Sequence, residues 1–381
     1  MQEKLASAAE AKEGVEARRA KVPEYAEKEA SVTRNYNIAL VGLGNVNRTL
    51  AEVINRDGAA LAEELGFTLT VTAITDLLFG TLADADGVDL NAVLSLQKGD
   101  TFASIGGTDA VDNEKFIRTA PADIIVEATF TNPIDGEPAV SHVRWALESG
   151  KSVCTTNKGP AAFAADELTA LAEHNGVRFE FEGAVMSGTP VLRLASGPLK
   201  GVGMKGFSGI LNGTSNYILG RMEAGLSQQE AIKEAQDLGY AEADPTADIG
   251  GSDVRLKVVV LAHELLGAHV KPDDVPTTGI TDITLEMIDQ AKAEGKRWKL
   301  IGGASRTQDG TVSCSVEPQK LDPSHPLFGI SGATNAVMFD TRFLGPVTIS
   351  GPGAGREETA YALLSDIIAI DAYNQAHKAN N

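Results

Sequence analysis

The chain has 381 residues, enough for two or three domains, and 43% of them are hydrophobic, which excludes a largely disordered protein. Its formal charge of −19 argues against binding to nucleic acid, and no apolar run approaches the ~20 residues that a membrane span needs. The two cysteines, Cys154 and Cys314, have no CxxC or His-Cys spacing, which argues against a disulfide framework or a zinc site. The amino terminus also lacks the hydrophobic region of a signal peptide. We therefore expect a cytoplasmic protein.

Residues 1–34 are rich in Ala, Glu, Lys and Arg and contain few large apolar side chains. This composition is typical of a solvated helix. We expect a helical extension that carries no chemistry.

A strand, a glycine turn and a helix follow in direct succession. The apolar run Ile38 to Val41 is expected of a strand covered on both faces. Gly42 permits a tight turn, and Gly44 lets the backbone approach a pyrophosphate. Asn45 and Val46 then open a helix whose N–H groups can bind that anion. This order predicts a dinucleotide-binding site.

Two residues bear on which dinucleotide binds. Asn47 stands where the third glycine of the pattern is expected, and its bulk weakens the signal and leaves cofactor affinity or preference open. Asp76 follows the β-prone run 67–74 and can accept hydrogen bonds from the ribose hydroxyls of NAD, while it would repel a 2′-phosphate. Arg48 is the one cation near this position in the sequence, so NADP also remains open, with NAD slightly favoured.

Strands and helices alternate from residue 37 to 175, which predicts an α/β domain with a parallel sheet covered by helices on both faces. From Gly176 the pattern changes to that of an α+β domain. The turn 351–355 opens a late helix, which indicates that the chain returns to the first domain. We expect a dinucleotide-binding domain at 35–160, completed by 350–378, and a substrate and dimerisation domain at 161–349.

The segment Gly239–Lys257 holds the densest cluster of candidate catalytic groups. Asp253 and Lys257 lie four residues apart, on one face of a predicted helix. A surface ion pair of this kind is worth only ~0.3–0.5 kcal/mol. The rest of the helix is apolar nearly all round, however, which indicates that it is buried. A buried lysine that is paired with an acid can relay a proton to and from a hydroxyl.

Three further side chains are candidates for a substrate site. Lys158 ends a strand at the edge of the sheet where ligands bind, and it can hold a substrate carboxylate or the reacting oxygen. Glu242 and Asp248 can bind a substrate ammonium, although solvated loop acids are common in so acidic a chain. The histidines lie outside these clusters, and we interpret them as surface or core residues: His142, His174, His263, His269, His325 and His377.

At this point the chain resembles the homoserine dehydrogenase family, over about 37–373. Four segments carry the resemblance, in the family's order: Thr129–Asn132, Thr156–Pro160, Gly209–Tyr217 and Gly239–Lys257. The resemblance implies a Rossmann domain followed by a substrate and dimerisation domain, and a homodimer or a higher homo-oligomer. It implies reversible hydride transfer between NAD(P)H and L-aspartate 4-semialdehyde that gives L-homoserine, a step in threonine and methionine biosynthesis.

The resemblance also implies roles for individual residues. Lys257 would donate and accept the proton, with Lys158 beside the substrate and the nicotinamide. Glu242 and Asp253 would bind the substrate, with Asp248 close by.

Further residues would contact the cofactor or an ion. Thr131 would lie near the nicotinamide, and Thr129 and Gly355 would contact the cofactor. The family has a monovalent cation site, for Na⁺ or K⁺, made largely of backbone carbonyls, and it would fall by position on these residues: Glu182, Val185, Ser187 and Thr189.

Some alternatives stay open. No stretch after residue 373 could hold the regulatory ACT domain that some members carry, so we expect the short form without feedback control through such a domain. A dehydrogenase of the same fold could act on another small hydroxy or amino acid. A sensor that binds dinucleotide without turnover is a third hypothesis, which the set of Lys158, Asp253 and Lys257 disfavours.

Overall fold

The computed structural model describes residues 34–378, which contain two β-sheets. The first sheet has six strands, in the spatial order β3-β2-β1-β4-β5-β6. Its strands are β1 (Arg34–Val41), β2 (Phe67–Asp76), β3 (Gly80–Ala83), β4 (Ile124–Glu127), β5 (Ser152–Thr155) and β6 (Phe179–Glu180). All neighbours pair in parallel except β2 and β3, which are antiparallel.

The second sheet is antiparallel throughout, with the order β11-β10-β7-β8-β9. Its strands are β7 (Met204–Ile210), β8 (Arg297–Arg306), β9 (Val312–Leu321), β10 (Thr334–Thr341) and β11 (Gly345–Pro352). The predicted combination of a parallel α/β sheet and a separate α+β part is confirmed.

Thirteen α-helices connect and cover the sheets within the described residues. They are α1 (Asn45–Leu65), α2 (Leu90–Ser95), α3 (Asn113–Thr119), α4 (Ala139–Glu148), α5 (Lys158–Phe163), α6 (Ala165–His174), α7 (Val191–Ser196), α8 (Gly213–Glu223), α9 (Gln228–Asp237), α10 (Thr246–Ile249), α11 (Ser252–Leu266), α12 (Leu285–Ala293) and α13 (Arg356–Lys378). In the same part of the chain, three short 3-10 helices lie at Phe102–Ile105, Glu182–Ala184 and Pro272–Asp274.

Both faces of the parallel sheet are covered, which explains its continuous apolar strands. Residues 38–41 of β1 are fully buried. One core cluster packs β1, β2 and β4 against α1 and against the apolar face of α13, which contributes Leu363, Ile367 and Ile370. The carboxyl-terminal helix therefore returns to the first sheet, as the late glycine turn predicts.

Several features differ from the sequence-based expectations. The antiparallel strand β3 and strand β8 were missed because glycine and charged residues interrupt their apolar pattern. The sheet also runs past residue 160, since β6 belongs to it. The predicted extension at 1–34 lies outside the described residues except for Arg34, which begins β1. Among the described helices, none combines the length and the apolar composition of a membrane span.

Helix α11 lies against the antiparallel sheet at a glycine. A Cβ atom at Gly302 of β8 would stand 2.5 Å from Val254 and 2.7 Å from Val258, both on α11. Real Cβ contacts are longer than this, so the helix approaches the sheet closely only because residue 302 has no side chain.

We expect Gly302→Ala to lower the free energy of unfolding by about 1–3 kcal/mol, because the added methyl group overpacks the contact between helix and sheet. Gly58→Ala is the matched control, since Gly58 lies inside α1 and a Cβ there would meet no atom within 4 Å. That variant should gain about 0.5–1 kcal/mol from helix propensity. Urea denaturation followed by circular dichroism measures both. Equal stability of Gly302→Ala and the wild type would contradict the close-approach argument.

Candidate active site

Helix α11 buries a lysine. The helix is apolar nearly all round, and the Lys257 side chain is only 9% exposed. Its Nζ donates hydrogen bonds to Asp253 Oδ2 at 2.7 Å and to the carbonyl oxygen of Leu211 at 2.7 Å. The pair Asp253–Lys257 is therefore not a surface ion pair, which was the alternative in the sequence analysis.

Asp253 lies between two ammonium groups. Besides Lys257, Lys158 places its Nζ 3.5 Å from Asp253 Oδ1. Burial acts to raise the pKa of Asp253, but the charges of Lys257 and Lys158 outweigh it and hold that pKa well below its usual range. The carboxylate therefore remains ionised at neutral pH and fixes both lysines in one place.

Asn212 bridges two acids, and the sequence analysis did not single it out. Its Nδ2 donates to Asp248 Oδ1 at 2.6 Å and to Asp253 Oδ2 at 3.0 Å. Its Oδ1 accepts the backbone N–H of Ser215 at 2.8 Å and so caps α8. Burial raises the pKa of Asp248. The signal in the sequence is that Asn212 stands three residues before Ser215 at the start of a helix. This spacing predicts the helix cap, but not the contacts of Asn212 with Asp248 and Asp253.

The glycine turn has the geometry that its sequence suggests. Gly42 has φ +84°, and a Cβ there would meet the Ala128 carbonyl oxygen at 3.0 Å. A Cβ at Gly44 would meet nothing within 4 Å, so the space beside that backbone is open. Asn45 and Val46 are the first residues of α1 and are not buried. An anionic ligand could therefore reach the helix end.

Asn47 fits the position where its bulk was expected to weaken the turn. Its buried Nδ2 donates to three backbone carbonyls, those of Val41 at 3.2 Å, Gly42 at 2.8 Å and Val126 at 3.2 Å. The amide thus joins the turn to β1 and β4, and it replaces close packing by hydrogen bonds. The bulk of Asn47 is therefore accommodated in the turn, and its effect on cofactor affinity or preference stays open.

Asp76 binds the glycine turn from the end of β2. One of its oxygens accepts the Leu43 N–H at 2.8 Å, and the other accepts the Leu78 N–H at 2.8 Å. Arg48 is engaged elsewhere, because it donates to the Leu94 carbonyl at 3.2 Å and lies over the ring of Phe79. The cation that kept NADP open in the sequence analysis is therefore already bound to protein groups.

A buried carboxylate links the glycine turn to the lysines. Glu127, at the end of β4, accepts hydrogen bonds from the backbone and the hydroxyl of Thr129 and from Thr155 Oγ1 at 2.8 Å. Asn157 Nδ2 donates to the Thr129 carbonyl at 3.3 Å, and Asn157 also caps the helix that begins at Lys158. Thr129 in turn lies 3.3 Å from where a Cβ of Gly42 would stand. Sequence reasoning missed Glu127 and Asn157, because the contacts of Glu127 with Thr155 and of Asn157 with Thr129 each join residues 28 positions apart.

Three predicted residues lie at the edges of this arrangement. Thr131 is half-buried in the loop after β4. Gly355 precedes α13 with φ +141°, and the next residue, Arg356, donates to Thr49 Oγ1 of α1 at 3.3 Å. Glu242 is exposed, and within the described residues its side chain makes no hydrogen bond or ion pair with the lysine cluster.

The residues predicted for a monovalent cation lie in the buried loop between β6 and α7. The Glu182 carboxylate accepts the backbone N–H groups of Leu192 and Arg193 at 2.8 and 2.9 Å, so it is engaged in capping α7. Ser187 has φ +54°, a left-handed conformation that is rare outside glycine. The remaining predicted positions, Val185 and Thr189, are also buried.

Comparisons with known proteins can now be set beside this geometry. The family model described as homoserine dehydrogenase matches residues 190–368. The NAD(+)-dependent homoserine dehydrogenase of Pseudomonas canavaninivorans is 56% identical over 337 residues, which cover 88% of this chain and 96% of that one.

Solved structures agree. The putative homoserine dehydrogenase from Archaeoglobus fulgidus is 36% identical, with a TM-score of 0.78 over 88% of this chain and 99% of its own. A hyperthermophilic archaeal homoserine dehydrogenase in complex with NADPH is 29% identical, with a TM-score of 0.74 over 89% and 98%. The extent and the identity of these matches confirm the predicted resemblance, and the chain belongs to the homoserine dehydrogenase family.

Proposed function

We propose that this homoserine dehydrogenase interconverts L-homoserine and L-aspartate 4-semialdehyde by hydride transfer, that Lys257 is its proton donor and acceptor, and that it uses NAD. The family supports the substrates. One observation carries the assignment of the lysine: Lys257 and Lys158 are held on opposite oxygens of one ionised carboxylate, Asp253, largely out of water.

The proton transfer is assigned to Lys257 from its hydrogen bonds. An ammonium group has three N–H donors, and two of those of Lys257 are used by Asp253 and Leu211. The third N–H remains for the substrate oxygen. In the reductive direction the aldehyde carbon gains a hydride, its oxygen takes the Lys257 proton, and a proton from solvent restores the ammonium. In the oxidative direction Lys257 accepts the hydroxyl proton.

Charge explains how the site favours the reaction. Lys257, Lys158 and Asp253 together carry one positive charge, which an alkoxide that forms in a poorly hydrated site would neutralise. We propose that Lys158 stabilises the negative charge of this alkoxide. Glu242, Asp248 and Asp253 would bind the substrate ammonium, and Asn212 sets the positions of the last two.

The cofactor assignment rests on the turn and on Asp76. The bound nicotinamide would supply the hydride. Gly42, Gly44, Asn45 and Val46 would hold its pyrophosphate, with open space beside Gly44 in support. The nicotinamide end would lie near Thr129, Thr131, Lys158 and Gly355. We propose NAD because Asp76 repels a 2′-phosphate, because Arg48 is engaged elsewhere, and because the Pseudomonas relative is named as NAD(+)-dependent.

We also propose a monovalent cation, Na⁺ or K⁺, in the loop 182–189. Met186 and Ser187 both have positive φ, at 59° and 54°, and such strained positions cluster at ligand sites. The carbonyls of Glu182, Val185 and Ser187 and the group at Thr189 would hold the ion.

We assign cofactor binding and substrate binding to different parts of the chain, each built around one of the two sheets. We propose that residues 35–160 and 350–378 bind the dinucleotide, and that 161–349 bind the substrate and contact another subunit. The exposed Phe343 and Leu344 at the turn beside edge strand β11 support an oligomer, a homodimer or larger. A cytoplasmic location accords with the buried thiols of Cys154 and Cys314, which are not bonded to each other.

We expect Lys257→Ala to lower kcat for homoserine oxidation by about 10²–10⁴-fold, because the variant removes the group that accepts the proton. The KM for NAD should change little, since Lys257 is not among the cofactor contacts. Absorbance of the reduced nicotinamide at saturating homoserine measures both constants.

The control for this variant is Lys233→Ala. Lys233 forms a pair with Asp237 at the same four-residue spacing, but on an exposed helix surface. The Lys233→Ala variant should retain wild-type turnover. Wild-type kcat in Lys257→Ala would remove Lys257 from the mechanism.

Assays of the wild type with other small hydroxy and amino acids test the alternative that the substrate is not homoserine. Negligible oxidation of homoserine, with turnover of another compound, would favour that alternative.

We expect Asp76→Asn to reduce the preference for NAD over NADP, measured as the ratio of the two kcat/KM values, by at least about tenfold, equivalent to ~1.4 kcal/mol. The substitution removes the charge that repels a 2′-phosphate. Asp86→Asn is the matched control, because Asp86 is exposed in a turn and, within the described residues, its side chain makes no hydrogen bond to the glycine turn. A ratio that does not differ between Asp76→Asn and the wild type would show that another group selects the cofactor.

A further inference from the structure

A second cluster of chemically active side chains lies at the far end of α11. His263 in the last turn of α11, His269 in the loop that follows, and Asp166 in the first turn of α6 point their ligand atoms at one another, all within 4.8 Å. We call these three residues, together with Glu264, the Asp166 cluster. The sequence analysis set both histidines aside because they lie outside the candidate clusters, and Asp166 is 97 positions from His263 and 103 from His269.

We propose that the Asp166 cluster is a binding site for a divalent transition-metal ion of the zinc type, which joins α6 to α11. Its ligands would be His263 Nε2, His269 Nδ1 and a carboxylate oxygen of Asp166. Imidazole and carboxylate suit this class of ion, and three protein ligands leave a position for water. The proposal does not depend on the proposed function.

The hydrogen bonds of His263 support a cation at this point. His263 Nδ1 lies 2.9 Å from Glu264 Oε1, and the opposite ring nitrogen, Nε2, lies 2.8 Å from Asp166 Oδ1. A ring that donates its Nδ1 proton to Glu264 presents a lone pair at Nε2, and a lone pair cannot face a carboxylate oxygen unless a proton or a metal ion lies between them. A carboxylate behind the ligating histidine is also the usual arrangement around zinc.

His269 repeats this relation from the other side. Its Nδ1 lies 2.6 Å from Asp166 Oδ2, so both imidazoles converge on one carboxylate. Ligand atoms around a tetrahedral zinc ion stand about 3.3 Å apart, given bonds of ~2.0–2.1 Å. The contacts at 2.8 and 2.6 Å must therefore open by about 0.5 and about 0.7 Å. Asp166 and His269 have 63% and 69% exposed side chains, and so are free to make that movement.

An ion can reach the cluster from solvent. A cleft of about 470 Å³ lies over it, lined by residues 161–167 and 268–273 together with Val259 and His263. The carboxylates of Asp166 and Glu264 give the position a negative potential that attracts a dication. The ion would hold the segment that follows Lys158 against the helix that carries Lys257.

Titration of the metal-stripped full chain with Zn²⁺, followed by calorimetry, tests the proposal. We expect one ion per chain in the wild type. His269→Ala should abolish this stoichiometric binding, and Glu264→Gln should weaken it by about 10–100-fold, because the orienting partner of His263 is changed. His174→Ala is the matched control, since His174 is an exposed histidine at the other end of α6.

Thermal unfolding gives a second readout that does not use activity. An ion that binds only the folded protein raises the midpoint of unfolding as its concentration increases. This rise should occur in the wild type and in His174→Ala, and should be absent in His269→Ala. If Zn²⁺ does not bind, or binds equally to the wild type and His269→Ala, the cluster is a hydrogen-bonded group without a metal and the proposal is wrong.

Discussion

The position of Asp253 between two lysines is the constraint on which the proposed active site depends. An ionised carboxylate that is largely out of water needs partners, and here Lys257, Lys158 and Asn212 supply them. Each partner comes from a different part of the fold: α11 itself, the start of α5 after β5 of the parallel sheet, and the loop after β7 of the antiparallel sheet. The contacts of Asp253 therefore join segments that follow strands of both sheets.

Other contacts in the fold position the segments around Asp253. Gly302 lets α11 approach the antiparallel sheet, which brings the Lys257 ammonium within reach of the Leu211 carbonyl. On the other side, Glu127 and Asn157 connect the loop after β4 to the helix that begins at Lys158. The glycine turn is bound to the same region through Asn47, which reaches across to Val126. Buried polar groups that are hydrogen-bonded in this way favour one arrangement of the loops over others.

The Asp166 cluster shows how one helix can present two kinds of chemistry. The amino-terminal half of α11 carries Asp253 and Lys257, and its last turn carries His263, about six residues further along. A metal ion bound to His263 and a substrate bound beside Lys257 would therefore both contact helix α11. The cluster contains no cysteine, and its two histidines are separated by five residues with no motif around them. The sequence analysis argued against a zinc site from its cysteine spacings, and that argument does not apply to a site made of histidine and aspartate.

Local rules were enough to predict the parallel sheet, the glycine turn, the burial of Lys257 and the return of the last helix, because apolar periodicity, glycine and helix caps act over a few residues. The tertiary structure alone decided that Asn47 is accommodated by three carbonyls, that Asn212 joins Asp248 to Asp253, and that Lys158 meets Asp253. It also decided that β3 and β8 are strands, since pairing with neighbours compensates for their broken pattern. Each of these contacts joins segments far apart in the chain, and the free energy that forms them comes from burying partners together, which no single segment encodes.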